Sequence, residues 1–448
     1  MKLSRGTTTF LIVWSGQLVS VVGSNLTSFA LGVWVYERTD SATHYALIYL
    51  FTVLPQLLIS PLAGALIDRW DRRRAMLLSD TGAGLSTLAI LLLLLAGRLD
   101  VWHVYVAVTV SAAFGAFQWP AYSAAITLLI PKQHYARASG LVDVAQGLAY
   151  LAGPALAGFL MAISGLQSVI ALDFATFGAA VLTLLAVRFP RPTRSAEGEA
   201  ARGTLRRDLT FGWRYIRSRP GLLALLGFFA VINFLTGVLM ALGTPLILAF
   251  TSTATLGVMM SVGAFGGLVG SAIMGVWGGP ARRINGVLGF GVIFGLGCIV
   301  MGLRPSVIWV TGAMTVLFCC LPIVNACSQA IWQSKVAADV QGRVFAVRSM
   351  VSFSMLPLAY LLAGPLADGV FEPLLMPDGA LADSVGQVIG TGAGRGMGLL
   401  FMVMGALVLL TSLAGSLYPR LRWLEDELPD QEHLVAGVEL EAVPAVAR

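Results

Sequence analysis

Charge is what this 448-residue sequence has least of: Asp, Glu, Lys and Arg make up only 12% of it, against about 25% in soluble chains. Lysine is the scarcest of the four, present as Lys2, Lys132 and Lys335. None of these follows a glycine, so the Gly-Lys phosphate loop of nucleotide-driven pumps is missing. Neither GxSxG nor HExxH occurs, and His44, His103, His134 and His433 are scattered along the chain, which removes the support for a hydrolase or a metal site. Cys298, Cys319, Cys320 and Cys327 lie in apolar runs without metal-ligand spacing and read as small packing residues. No cofactor is expected, and any energy source must be an ion gradient, for which protons are the first expectation.

Apolar residues fill the space that charge leaves. They make up 57% of the chain, with a mean hydropathy of +0.82, and they come in long runs. Runs near 20 residues suit membrane-spanning helices, which satisfy their backbone internally where the bilayer offers no partner. The expected fold is therefore an all-α membrane protein with twelve transmembrane helices. They are placed at about 9–36, 43–67, 75–97, 101–130, 138–164 and 167–188, then 221–250, 254–278, 286–303, 306–333, 344–371 and 396–418. Lys2 and Arg5 before the first run resemble a signal-peptide start, but the run is too long for a cleaved segment and reads as an uncleaved first span.

Basic residues orient the chain, because Lys and Arg concentrate in cytoplasmic loops. With twelve spans, 25 of the 29 Lys and Arg fall on the side of the termini, and only Arg38, Arg98, Arg304 and Arg395 fall opposite. Both termini are expected to be cytoplasmic, in a multi-pass cell (inner) membrane protein. The net charge of +6 then belongs to a membrane-facing inner surface and does not argue for nucleic acid. The expected organisation is a six-helix bundle over 1–188, a cytoplasmic linker over 189–220, a second bundle over 221–424 and a disordered tail over 425–448. In the linker, Leu205, Leu209, Trp213 and Ile216 recur at helical spacing among arginines. That suits an amphipathic helix lying on an anionic leaflet, or equally one packed on the bundle.

One offset relates the two halves. Gly64 and Gly275, Arg72 and Arg283, Lys132 and Arg343, Gly153 and Gly364, and Pro154 and Pro365 are each separated by 211 residues. A repeat that preserves basic loops and Gly-Pro kinks reads as two pseudo-symmetric six-helix bundles.

Between the second and third spans stands Gly64-Ala-Leu-Ile-Asp68-Arg69-Trp-Asp71-Arg72-Arg73-Arg74, which resembles motif A of the major facilitator superfamily. It departs from that pattern at Asp71, where glycine is usual, putting the tight turn in doubt. The second-half copy has Gly279 in place of Asp68. Gly153-Pro154-Ala-Leu-Ala157-Gly158 resembles the antiporter motif C of the same superfamily, and Gly364-Pro365-Leu-Ala-Asp368-Gly369 repeats it. Further runs, Pro322 to Lys335 and Gly364 to Pro373, are similar to the macrolide-efflux and siderophore-exporter branch. An isolated Gly-Pro would be no more than a packing kink.

The resemblance implies a proton-coupled exporter of bulky amphipathic small molecules working by alternating access, monomeric and not an enzyme. An uptake permease or lysophospholipid flippase of the same fold, or a receptor or scaffold that retains it, stays open. The resemblance also implies a cavity lined by spans 1, 4, 7 and 10. Gln17, Asn25, Gln118, Trp119, Asn233, Met240, Asn325 and Gln329 are the expected substrate contacts. Gly64, Asp68, Arg69, Arg72, Arg73, Gly153, Pro154, Gly364 and Pro365 are the expected gating residues. Among the acids within spans, Asp143 shares a helical face with Gln146, Tyr150 and Gly153 and is the expected proton carrier. Asp80 is expected to pair with the basic loop through Arg74, and Asp173 with a structural partner.

Overall fold

The computed structural model describes residues 5–67, 70–131, 135–187, 189, 205–337 and 340–428. The long helices are α1 (Arg5–Thr39), α2 (Ala42–Ile67), α3 (Arg72–Leu95), α4 (Val101–Leu129) and α5 (Tyr135–Ala186). After the linker helix α6 (Leu205–Arg217) come α7 (Pro220–Leu248), α8 (Thr253–Trp277), α9 (Arg283–Leu303), α10 (Val307–Lys335), α11 (Gln341–Leu366) and α12 (Arg395–Leu417). Eleven of these are long and apolar enough to cross a membrane. The described residues contain no strand.

At 52 residues, α5 would be about 78 Å long if straight, far beyond the roughly 30 Å of a hydrocarbon core. It breaks at Gly165, where φ is 75° and ψ is 177°, a conformation that glycine adopts without the steric cost a side chain would bring. Contacts along α1 show that the chain doubles back there. The Trp14 indole donates to the Leu141 carbonyl at 2.9 Å, while Gly16 and Gly23 face Thr183 and Thr176. The arms 135–164 and 166–186 therefore lie side by side along α1.

The 211-residue offset survives in three dimensions. Helices α2 and α3 start at Ala42 and Arg72, and α8 and α9 start at Thr253 and Arg283, 211 residues later in each case. The halves meet through α2 against α11 and α5 against α8, which this offset interchanges.

Among the described residues, the buried core shared by the two halves lies at one end. A single buried core joins Val33, Ala42 and Ala46 of the first half to Leu235, Leu242, Met259, Ala359 and Ala363 of the second. At the other end, which carries the arginines at 72–74, the core around Phe10, Met76 and Ile126 stays in the first half. The core around Ile216, Leu225 and Trp332 stays in the second. The ends are called closed and basic below.

The linker helix packs on the bundle. Ile216 is fully buried, and Gly212 sits so near Arg343 that an added Cβ would lie 2.6 Å from the Arg343 carbonyl. Trp213, Arg214 and Arg217 are left exposed. The chain after Trp423 begins as structure: Leu424–Glu427 forms a helical turn. Glu425 accepts the Arg283 and Ile284 N–H groups at 3.1 and 2.9 Å, and Asp426 meets Arg282 at 3.2 Å. This acid fills the positive N-terminus of α9. Residues 429–448 of the expected tail lie outside the described residues.

Candidate functional site

Asp80 is the acid that the bundle buries around a cavity. It lies on α3, only 5% exposed. Its two oxygens accept N–H groups from different helices, Oδ2 from Gln17 Nε2 of α1 at 2.8 Å and Oδ1 from Gln118 Nε2 of α4 at 3.0 Å. Gln118 Nε2 also donates to Gln17 Oε1 at 2.8 Å. The expected pairing of Asp80 with Arg74 does not form. Six residues advance a helix by about 9 Å but also turn it by roughly 240°, so the two side chains leave different faces.

A cavity of about 400 Å³ opens beside this cluster, lined by Gln17, Gln118, Trp119, Tyr122 and Gln146 together with Trp14, Val21 and Val142. Gln118 Oε1 and the Tyr122 hydroxyl are buried there without a protein partner. The wall is thus mainly aromatic and aliphatic with a few directed polar atoms, the usual make-up of a small-molecule site. Three of the eight expected substrate contacts, Gln17, Gln118 and Trp119, line it.

The other five lie elsewhere. Asn25 donates to the Val21 carbonyl of its own helix at 2.9 Å and abuts Gly153, where an added Cβ would sit 3.0 Å from Asn25 Cβ. Asn233 and Met240 are half-buried on α7, and Asn325 is exposed on α10. Gln329 Oε1 accepts from Arg348 Nη1 at 2.7 Å, and Arg348 Nη2 reaches Ser328 at 3.2 Å. Arg348 stands over the Trp332 and Phe345 rings at 5.3 and 6.0 Å. Cavity-facing helices alone offered no charge to sequence reasoning, yet Asp80 and Arg348 reach their glutamines from flanking helices. The available signals were Asp80, the one acid of α3, and Arg348, the second of two arginines on α11.

Asp143 is exposed, although its neighbours Val142 and Gln146 line the cavity. Asp173 is 1% exposed in a nest of hydroxyls, with Thr87 and Thr176 each 3.4 Å from its carboxylate. That agrees with the structural partner expected for it.

At the basic end, Gly64 lies in α2, while Asp68 and Arg69 lie outside the described residues. Asp71 caps α3, its Oδ1 accepting the Arg74 N–H at 3.0 Å, which explains an aspartate where motif A has glycine. Arg72 reaches the Trp70 carbonyl at 3.3 Å. Arg73 donates to the Leu184 and Leu185 carbonyls at 2.6 and 2.9 Å, capping the C-terminus of α5 within its own half.

The Gly-Pro pairs stand where the halves cross. Pro154 and Gly158 of α5 pack on α8: an added Cβ on Gly257 would overlap the Pro154 carbonyl, and one on Gly158 would lie 2.9 Å from the Thr253 carbonyl. In α11, Gly364 precedes Pro365 and faces Thr43 of α2, whose Cα an added Cβ would overlap.

Residues 13–360 match the Major Facilitator Superfamily profile. Macrolide efflux protein A of Streptococcus pyogenes is 25% identical over 377 residues, covering 81% of this chain and 90% of that protein. Multidrug efflux pump Tap of Mycolicibacterium fortuitum is 26% identical over 381 residues, covering 80% and 89%. Among solved structures, a bacterial homologue of the human lysosomal transporter Spinster, in an inward-facing and unoccupied conformation, aligns with a TM-score of 0.68. It has 14% identity and covers 92% of this chain and 98% of its own. The nucleoside transporter NupG aligns at 0.68 with 9% identity, over 91% and 98%. With the family profile running from α1 into α11 and efflux proteins among its relatives, the chain belongs to the Major Facilitator Superfamily and is a membrane transporter rather than an enzyme.

Proposed function

We propose that the chain is a proton-coupled exporter of bulky amphipathic small molecules, monomeric in the cell (inner) membrane and working by alternating access. On this reading α5 crosses twice, about Gly165, which makes twelve crossings. Both termini are cytoplasmic, and the basic end is the cytoplasmic one. The state described is then open to the cytoplasm, where an exporter loads.

The observation that carries the reading is the cavity whose wall holds Gln17 and Gln118, the two amides that bond the buried Asp80 behind it. Cavity and cluster share their amides. Both Asp80 oxygens accept N–H groups, so a proton on either one would set two donors against each other unless an amide turns. A ligand that bonds Gln118 Oε1 and the Tyr122 hydroxyl and turns either amide loosens the same bonds. Substrate and proton are thereby linked through two side chains. Asp80 ranks ahead of Asp143 because Asp143 is exposed, whereas Asp80 is held buried between two amides that a change of packing would rearrange.

The aromatic wall and sparse polar atoms suit an amphipathic ligand, as do the efflux relatives. The test is reconstitution into proteoliposomes with an imposed pH gradient and a compound panel comprising a macrolide, a siderophore and a lysophospholipid. Uphill movement of the macrolide or siderophore against a proton flux is expected. Movement of the lysophospholipid alone, or of nothing at all in folded protein, would overturn the exporter reading.

A further inference from the structure

The closed end carries a polar contact between the halves that the Gly-Pro repeat does not explain. Asp368 lies in the π-helical turn Ala367–Phe371 that continues α11. Its Oδ1 accepts the Ala42 N–H at 3.1 Å, and its Oδ2 accepts the Thr43 N–H at 2.9 Å. The hydroxyls of Ser41 and Thr43 donate to Oδ2 at 2.7 Å each. Ala42 and Thr43 open α2, and first-turn N–H groups have no acceptor inside their own helix. A negative group is favoured at that partial positive pole. An acid of the second half thus caps a helix of the first.

Geometry explains how the carboxylate arrives there. Gly364, one turn earlier, has no side chain to hold α11 away from Thr43. Nearby, the tilted Tyr49 ring packs on Tyr45 of its own helix at 5.7 Å and on Tyr360 across the joint at 5.4 Å between centroids.

The repeat provides an internal control. The 211-residue offset maps Ala157 onto Asp368 and Thr253, the first residue of α8, onto the position of Ala42. At that second crossing Gly158 also packs on α8, Ala157 is fully buried, and α8 is capped by its own Ser252 through the Thr255 N–H. Glu37 of α1 does accept the Thr253 hydroxyl there at 2.7 Å, but among the described residues only Asp368 accepts the first-turn N–H groups of a helix in the other half. Its contacts suit a joint that opens: the carboxylate, the two hydroxyls and the N–H groups can all be satisfied by water once separated, whereas an exposed apolar face cannot.

We propose that Asp368 is a positioning residue of the transport cycle, a latch whose carboxylate on the α2 N-terminus holds the closed end shut and lets go when that end opens. The latch itself rests on the distances above; only its place in a transport cycle rests on the exporter reading.

The test uses full-length protein in lipid nanodiscs with the four native cysteines replaced. Nitroxide pairs at His44 and Asp383 report the closed end, and pairs at Trp70 and Trp277 report the basic end, read by double electron–electron resonance. Asp368→Asn is expected to raise the open-to-closed ratio at the first pair roughly tenfold, equivalent to about 1.4 kcal/mol, and to shorten the second distance in step. A merely structural role would loosen the joint without the reciprocal closure at the basic end. Ser41→Ala combined with Thr43→Val removes two donors from the other side of the contact, should move both distances the same way, and carries the test if Asp368→Asn fails to fold. Unchanged distributions in the folded variants, or widening at both ends, would overturn the latch. Reciprocal shifts in protein that moves none of the panel compounds would support the latch and sink the exporter reading alone.

Discussion

Replacing Asp80 by asparagine tests the coupling proposal most directly, because the cluster can be worked through atom by atom. In the wild type, Gln17 and Gln118 each donate to the carboxylate, and Gln118 also donates to Gln17 Oε1. Asparagine offers one acceptor and one donor group, so Gln17 must turn for its oxygen to receive the new N–H. That turn sets the Gln17 amide nitrogen against Gln118 Nε2. Turning Gln118 as well places its oxygen against the asparagine oxygen. Every arrangement leaves about one buried hydrogen bond unmade, a cost of roughly 1–3 kcal/mol. Relief from burying an unpaired charge offsets it. Asp80→Asn should therefore fold and insert.

Its effect on transport is larger. One pH unit supplies about 1.4 kcal/mol per proton, so exchange of one proton per substrate concentrates a neutral compound about tenfold per unit. A variant that cannot carry the proton should equilibrate the compound to a ratio near one while still binding it. The assay is accumulation of labelled compound in proteoliposomes under an imposed gradient of one to two pH units, with binding measured separately. Asp143→Asn, run in parallel, should keep most of the gradient-driven accumulation. If Asp80→Asn retains the tenfold ratio per unit, or Asp143→Asn abolishes it, the assignment of coupling to Asp80 is refuted.

Three further outcomes are expected. Gly257→Val places a side chain where even a Cβ would overlap the Pro154 carbonyl; it should part α5 from α8 and cut export at least tenfold without abolishing insertion, read by transport and by crosslinking of paired cysteines across that joint. Glu425→Gln removes the charge that caps α9 and should lower stability by about 0.5–2 kcal/mol, seen as a reduced melting temperature in detergent, with export nearly unchanged. Arg348→Gln should shift apparent affinities by different factors for different compounds, because Arg348 orients Gln329; an equal loss for every compound at normal expression would instead mark a fixed anchor.

Much of this architecture was decided by local composition. Long apolar runs must become helices in a bilayer, because the backbone has no other partner there. The 211-residue offset announced a duplicated half, and its Gly-Pro pairs stand at the two crossings between the halves. Where chemistry was concerned, the sequence could name candidates but not neighbours. Asp80 was read against Arg74, six residues away, whereas its partners lie 63 and 38 residues distant on other helices. Asp368 was legible as one position of a Gly-Pro repeat, but its partners on α2 are more than 320 residues away. Likewise, hydropathy placed Gly165 between two spans, and only the contacts of both arms along α1 show the chain folding back there. The physical reason is one of range: helix formation and membrane burial depend on neighbours within a few residues, whereas the company of a buried charge is chosen by which helix faces pack together. That choice set Asp80 between two glutamines and Asp368 over a helix end, and it was made only when the apolar helices had to pack against one another.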